Sequence, residues 1–145
     1  MRPIGYVKTE IPDKDVSKRR AEMVSEIVIA DQWQDALTDI EAYSHLFVLF
    51  WMHKKSDNVI EQRVHPRGDK NLPLTGVFAT RSGNRPNPIG LAVVELLQRK
   101  GTHITVRRLD AYDGTPILDL KPYDDYDVFQ SIRVPEWWAM RCRKK

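Results

Sequence analysis

Cysteine is almost missing: Cys142 is the one sulfhydryl in 145 residues. A lone thiol excludes an internal disulfide framework and a cysteine-rich zinc site, and it agrees with a reducing, cytoplasmic setting. Long apolar runs are missing too. The longest, Leu46–Met52, spans seven residues, far short of the ~20 that a membrane-spanning helix needs. The opening Met1-Arg2-Pro3-Ile4-Gly5 has no apolar signal-peptide core, so no membrane partner is expected. Glycine is sparse and scattered, at 5, 68, 76, 83, 90, 101 and 114. Neither Gly-x-Gly-x-x-Gly nor a P-loop can be built from those positions, which excludes Rossmann-type dinucleotide binding. His53 and His65 lack a third or fourth ligand at a recognisable spacing, so no metal is expected. Repeats and low-complexity tracts are absent.

What remains is ordinary globular material. Hydrophobic residues make up 41% and charged residues 30%, enough for one core in a single domain, 1–145. The net charge is +3, which permits a nucleic-acid partner without requiring one. Its distribution is more informative. Residues 53–88 hold seven basic and three acidic side chains, 133–145 five and one, and 109–127 one and six. Two positive zones and one negative zone suit an anionic partner and a cationic ligand on the same molecule.

The patterning predicts strands over Ile4–Thr9, Val24–Ala30, Leu46–Met52, Thr75–Thr80, Ile89–Gln98, His103–Leu109 and Pro116–Lys121. The continuous run Leu46–Met52 reads as a strand buried on both faces. Asp31 is placed to N-cap a helix whose apolar face is Trp33, Leu37 and Ile40, reaching about Tyr43. Residues 10–22, 53–74 and the tail after Pro122 read as irregular. Strands do not alternate with helices, so the expected class is mainly β, as a barrel or a coiled antiparallel sheet, with one short helix.

Four segments could carry chemistry, one of them His65-Pro66-Arg67-Gly68-Asp69 on the long loop. Arg81-Ser82-Gly83-Asn84-Arg85-Pro86-Asn87-Pro88 is a proline-stiffened loop with two guanidinium forks, suited to carboxylates or phosphates, or simply a hairpin with solvated arginines. Asp110-Ala111-Tyr112-Asp113-Gly114 places carboxylates on a turn, for ribose hydroxyls or a cation, or for bonding backbone. His53-Lys54-Lys55 follows the apolar strand, where an imidazole could accept a proton. The pair Trp137-Trp138 is either core or a stacking platform.

Joined together, these motifs resemble a known family. Pro3-Ile4-Gly5, Ser44-His45-Leu46, Gly76-Val77-Phe78-Ala79-Thr80-Arg81, Arg85-Pro86-Asn87-Pro88-Ile89-Gly90, Asp113-Gly114-Thr115-Pro116 and Asp119-Leu120-Lys121-Pro122-Tyr123 are similar to the TsaA/TrmO family, with a core at about 3–123 and a basic tail over 124–145. The resemblance implies a seven-stranded β-barrel that binds S-adenosylmethionine without a Rossmann fold. It implies a cytoplasmic homodimer that methylates N6-threonylcarbamoyladenosine beside the anticodon of tRNA. The cofactor contacts it implies are His53, Lys54, Arg81, Leu91, Asp110, Ala111, Tyr112 and Asp113. His53 and Tyr123 are the candidate bases. Arg67, Lys70, Arg85, Arg141, Arg143, Lys144 and Lys145 are the candidate phosphate contacts. A non-catalytic RNA-binding barrel, or a methyltransferase of this fold with another substrate, would use the same features.

Overall fold

The computed structural model describes residues 1–55 and 60–142. Its strands are β1 (Gly5–Lys8), β2 (Val24–Ile29), β3 (His45–Trp51), β4 (Arg63–Val64), β5 (Thr75–Gly76), β6 (Ile89–Lys100), β7 (His103–Arg107) and β8 (Pro116–Pro122). Two short helices, α1 (Asp13–Arg19) and α2 (Glu136–Cys142), accompany them.

Six strands close into an antiparallel barrel in the order β1-β2-β7-β6-β3-β8, and β1 pairs back onto β8 through Gly5–Ile117 and Tyr6–Pro116. The barrel therefore has six strands rather than seven. The segment expected as a strand over Thr75–Thr80 pairs only as β5 with β4, in a separate two-stranded sheet, and then turns into a 3-10 helix at Val77–Ala79.

In a closed barrel each strand has one inward face, filled by side chains. That explains β3. Its sequence is apolar almost throughout, yet burial alternates: Leu46, Val48 and Phe50 are buried, while Phe47, Leu49 and Trp51 are half-buried. The expected burial on both faces is corrected, because among the described residues the outer face is only partly covered. The inward residues join Val7, Ile27, Ile29, Val94, Ile104, Val106 and Ile117 in one core.

A bulge at Leu97 shifts the β6–β7 register between Leu96 and Gln98. It reverses the inside–outside parity of the strand end. Arg99 consequently pairs with the buried Ile104. Its guanidinium donates to the carbonyls of Gly101 at 2.8 Å and Leu37 at 3.1 Å, and to Glu41 at 3.0 Å. These bonds fasten residues 31–43 under the barrel, where Leu37, Trp33 and Ile40 pack against the core.

The helix expected over 31–43 is instead two 3-10 segments, Asp31–Leu37 and Ile40–Ala42. Thr38 is extended and Asp39 takes a left-handed conformation with φ 67°, which breaks the helical path. Asp31 makes no capping bond. Residues 10–22, expected to be irregular, contain α1, anchored by the buried Val16. The tail contains a 3-10 turn at Asp125–Asp127 and α2. No helix among the described residues is long and apolar enough to cross a membrane.

Candidate functional site

Strand direction decides where the chemistry collects. β1, β3 and β7 end, and β2, β6 and β8 begin, at the same rim. The connections 9–23, 52–88 and 108–115 therefore all meet there. They carry α1, the His53-Lys54 pair, the arginine loop and the acidic turn.

Side chains from three of these connections touch. Lys54 Nζ lies 2.5 Å from Asp13 Oδ2 and 5.4 Å from the centre of the Tyr112 ring. Arg20 lies 3.6 Å from the Asp110 carboxylate. Positive and negative groups thus alternate across the rim. Each ion pair is substantially exposed, so each holds with only ~0–1 kcal/mol and a charged ligand can displace it. His53 is half-buried. Its backbone N–H donates to the Trp51 carbonyl at 2.8 Å, while its Nδ1 is buried without a hydrogen-bond partner among the described residues. The Met52 N–H donates to the Pro88 carbonyl at 2.8 Å, which joins the end of β3 to the arginine loop. Gly83 admits the Lys55 chain, since a Cβ there would meet Lys55 carbons at 2.7 Å.

The expected site residues separate on this geometry. Lys54, Asp110 and Tyr112 lie in the rim cluster, and His53 immediately precedes Lys54. Asp113 is on the same turn, but its Oδ1 accepts the Thr9 N–H at 3.0 Å, so it ties the turn to β1. Ala111 is 4% exposed and packs in the core, which leaves only its backbone for contact. Arg81 is exposed and forms no hydrogen bond or ion pair within the described residues. Leu91 stands on the outer wall, 51% exposed and opposite Leu49.

Tyr123, the other candidate base, does not stand beside His53. Its N–H donates to the His45 carbonyl at 3.1 Å, and its ring packs edge-on against His45 and Phe47. It stands at the opposite end of β3, about 20 Å away at strand rise. A cavity of about 400 Å³ also opens at that far end, beside Trp33, Tyr43 and Asp119. None of the expected site residues lines it. Asp119 is occupied by the Leu120 N–H and by Lys121.

Among the candidate phosphate contacts, Lys70 and Arg141 are exposed. Arg67 lies 5.2 Å over the Trp138 ring, which in turn meets Trp137 edge-on at 5.8 Å. Arg85 braces its own loop, Nη1 donating to the Thr80 and Ser82 carbonyls at 3.1 Å each. Arg143, Lys144 and Lys145 lie outside the described residues. Sequence reasoning missed Asp13, Arg20 and Thr9. A signal existed: acidic residues open and basic residues close Asp13–Arg19, an order that favours a helix through its dipole.

A family model described as the tRNA-methyltransferase O N-terminal domain matches residues 6–127. The chain belongs to this family. A probable S-adenosyl-L-methionine-binding protein of Methanothermobacter thermautotrophicus is 44% identical over 131 residues, covering 88% of this chain and 92% of that protein. A tRNA (adenine(37)-N6)-methyltransferase of Mus musculus is 36% identical, over 91% of this chain and 32% of that protein. The crystal structure of TrmO from Pseudomonas aeruginosa superposes with a TM-score of 0.71 at 30% identity, covering 90% of this chain and 58% of that one. The chain thus spans under two thirds of that solved family member. The family match covers the whole barrel from Tyr6 onward and stops before α2.

Proposed function

We propose that this chain is a cytoplasmic S-adenosylmethionine-dependent methyltransferase acting on N6 of N6-threonylcarbamoyladenosine beside the anticodon of tRNA. The observation that carries the reading is the rim cluster. Opposite charges pair there beside a chain segment whose His53 keeps a buried Nδ1 without a hydrogen-bond partner among the described residues, in a chain of the tRNA-methyltransferase O family.

The residues fit a zwitterionic cofactor. Its carboxylate suits Lys54, and its ammonium and ribose hydroxyls suit Asp110 and the Tyr112 backbone, with Asp113 holding the turn in place. When bound, the cofactor supplies a methyl group already activated by its sulfonium, so the protein need not form a covalent intermediate. The protein's own task is positional. The accepting nitrogen is ureido-like and weakly nucleophilic, and its proton must leave. The His53 imidazole, whose Nδ1 has no hydrogen-bond partner among the described residues, is our candidate to take it. Exposed Arg81 would pair with a carboxylate, that of the threonyl group or of the cofactor. Lys70, Arg67 and the basic tail would track phosphates.

We also place a second copy of the chain on the outer wall. Phe47–Val93, Leu49–Leu91 and Trp51–Ile89 are cross-strand pairs on the uncovered face of β3 and β6, an apolar patch of the kind that marks an interface. In that arrangement Leu91 would reach a cofactor at the seam between copies.

Two measurements test the reading. Calorimetry should detect S-adenosylmethionine binding to the full chain. Mass spectrometry of nucleosides should find the N6-methylated product when the protein acts on tRNA from cells lacking it. A folded protein with no affinity for the cofactor would leave only an RNA-binding barrel. Binding without that product would leave a methyltransferase of another substrate.

A further inference from the structure

Phe78 is 79% exposed, though it sits in a braced turn of the connection between β3 and β6. Its neighbour Val77 is 4% exposed and donates its N–H to the Gln62 carbonyl at 2.9 Å. The Val77 carbonyl accepts both the N–H and the hydroxyl of Thr80, at 3.1 and 2.8 Å. Farther along, the Asn84 side chain donates to Glu61 at 2.9 Å, and the Asn84 carbonyl accepts the Glu61 N–H. The turn therefore holds the ring out in water, where it forgoes the stabilisation that burial would bring.

Among the described residues the ring meets one cation. The Arg85 guanidinium lies over it, 6.0 Å from the ring centre. Two bonds from Arg85 Nη1 to the Thr80 and Ser82 carbonyls keep the guanidinium there. Three residues beyond Phe78, Arg81 is exposed and unpaired within the described residues. An aromatic plate backed by one guanidinium and flanked by another suits a flat ring carried on an anionic chain. Unpaired RNA bases stack on such plates, and enzymes that modify a base must take it out of its helix. A purely apolar partner would gain little from the two arginines.

We propose that Phe78, backed by Arg85, is the stacking platform for an unpaired base of the RNA substrate. This rests on the tRNA reading above and adds the residue that receives the base. The test measures binding of an anticodon stem-loop RNA and of a single-stranded oligoadenylate to the full protein. Phe78→Ala should weaken both by about tenfold, the size of one lost base–aromatic stack. Phe78→Leu should lose as much, and Phe78→Trp should bind like wild type. An abasic scan of the stem-loop should find one position where wild type loses affinity and Phe78→Ala loses nothing further. Full affinity in Phe78→Leu, or no coupled abasic position, would overturn the platform, as would a change in sedimentation that makes Phe78 a contact between copies. Phe78-dependent binding of oligoadenylate by a protein that methylates no tRNA would support the platform while sinking the tRNA reading.

Discussion

Gly90→Ala should cost this protein more than a methyl group ordinarily does. Gly90 on β6 lies directly across from Phe50 on β3. A Cβ at Gly90 would lie 2.3 Å from Cε2 and Cζ of that ring and 2.8 Å from Cδ2. Ordinary carbon contacts begin near ~3.5 Å, so the ring must retreat by about 1 Å. It has nowhere easy to go, being 6% exposed and part of the main core cluster. Overpacking of this kind costs ~1–3 kcal/mol. Replacing glycine within a strand returns ~0.5–1 kcal/mol through reduced freedom of the unfolded chain. The clash wins, and the net effect should be about 1–2 kcal/mol of destabilisation. In urea, with a slope of ~1–3 kcal/mol/M for a small domain, the midpoint should fall by roughly 0.5–1 M. The control is Phe50→Leu. Alone it should destabilise by removing ring contacts, but adding Gly90→Ala to it should cost little more, because the smaller side chain leaves room. A Gly90→Ala midpoint equal to wild type, or strictly additive penalties in the double variant, would refute the assignment of this glycine to ring packing.

Gly5→Ala should be worse, since its Cβ would come 2.3 Å from the Val28 carbonyl oxygen, a backbone atom held in the β1–β2 ladder; loss of cooperative unfolding by circular dichroism is the expected outcome. Arg81→Ala should abolish methyl transfer with an unchanged thermal midpoint, and an unchanged rate would remove Arg81 from the site. Asp113→Ala should lose the Thr9 bond and about 1 kcal/mol of stability, read as a lower urea midpoint; no change there would show that this bond does not hold the turn. Leu91→Lys should shift sedimentation toward a smaller species if the wall between β3 and β6 seats a second copy. Ending the chain at Pro135 should weaken tRNA binding and flatten its salt dependence, whereas equal slopes would argue against phosphate contacts in the tail.

The parts of the fold that could be read in the sequence are those set by alternation and by turn residues. β2, β6, β7 and β8 each lie close to their expected spans, because inward and outward residues announce themselves two by two. The errors share another physical cause. Trp33, Leu37 and Ile40 recur at helical spacing, and nothing in the sequence declares that Asp39 adopts a left-handed backbone, a conformation aspartate tolerates. α1 escaped notice because seven residues with a single buried side chain, Val16, have no period to detect. Tyr123 illustrates the limit for the site. It stands beside a motif rich in charged residues, but only the β3–β8 register, Leu46 against Pro122, reveals that it belongs to the far end. The rim cluster depended in turn on Asp13 and Arg20, which come from a segment with no expected structure.

Strand parity then gives the barrel three unlike surfaces. The rim alternates charge in weak, exposed pairs that a zwitterion can enter by exchanging partners, Lys54 leaving Asp13 and Asp110 leaving Arg20. The β3–β6 wall is apolar and leaves Ile89, Leu91 and Val93 exposed. The base is filled by the 31–43 segment and clamped by Arg99. In the arrangement proposed above, the rim pairs would take the cofactor, Phe78 a nucleobase and the wall a second copy, with Leu91 where cofactor and copy would meet. Because β3 ends at the rim with Trp51 while Leu49 lies on the wall, one strand contributes to both surfaces, and His53 follows two residues past its end.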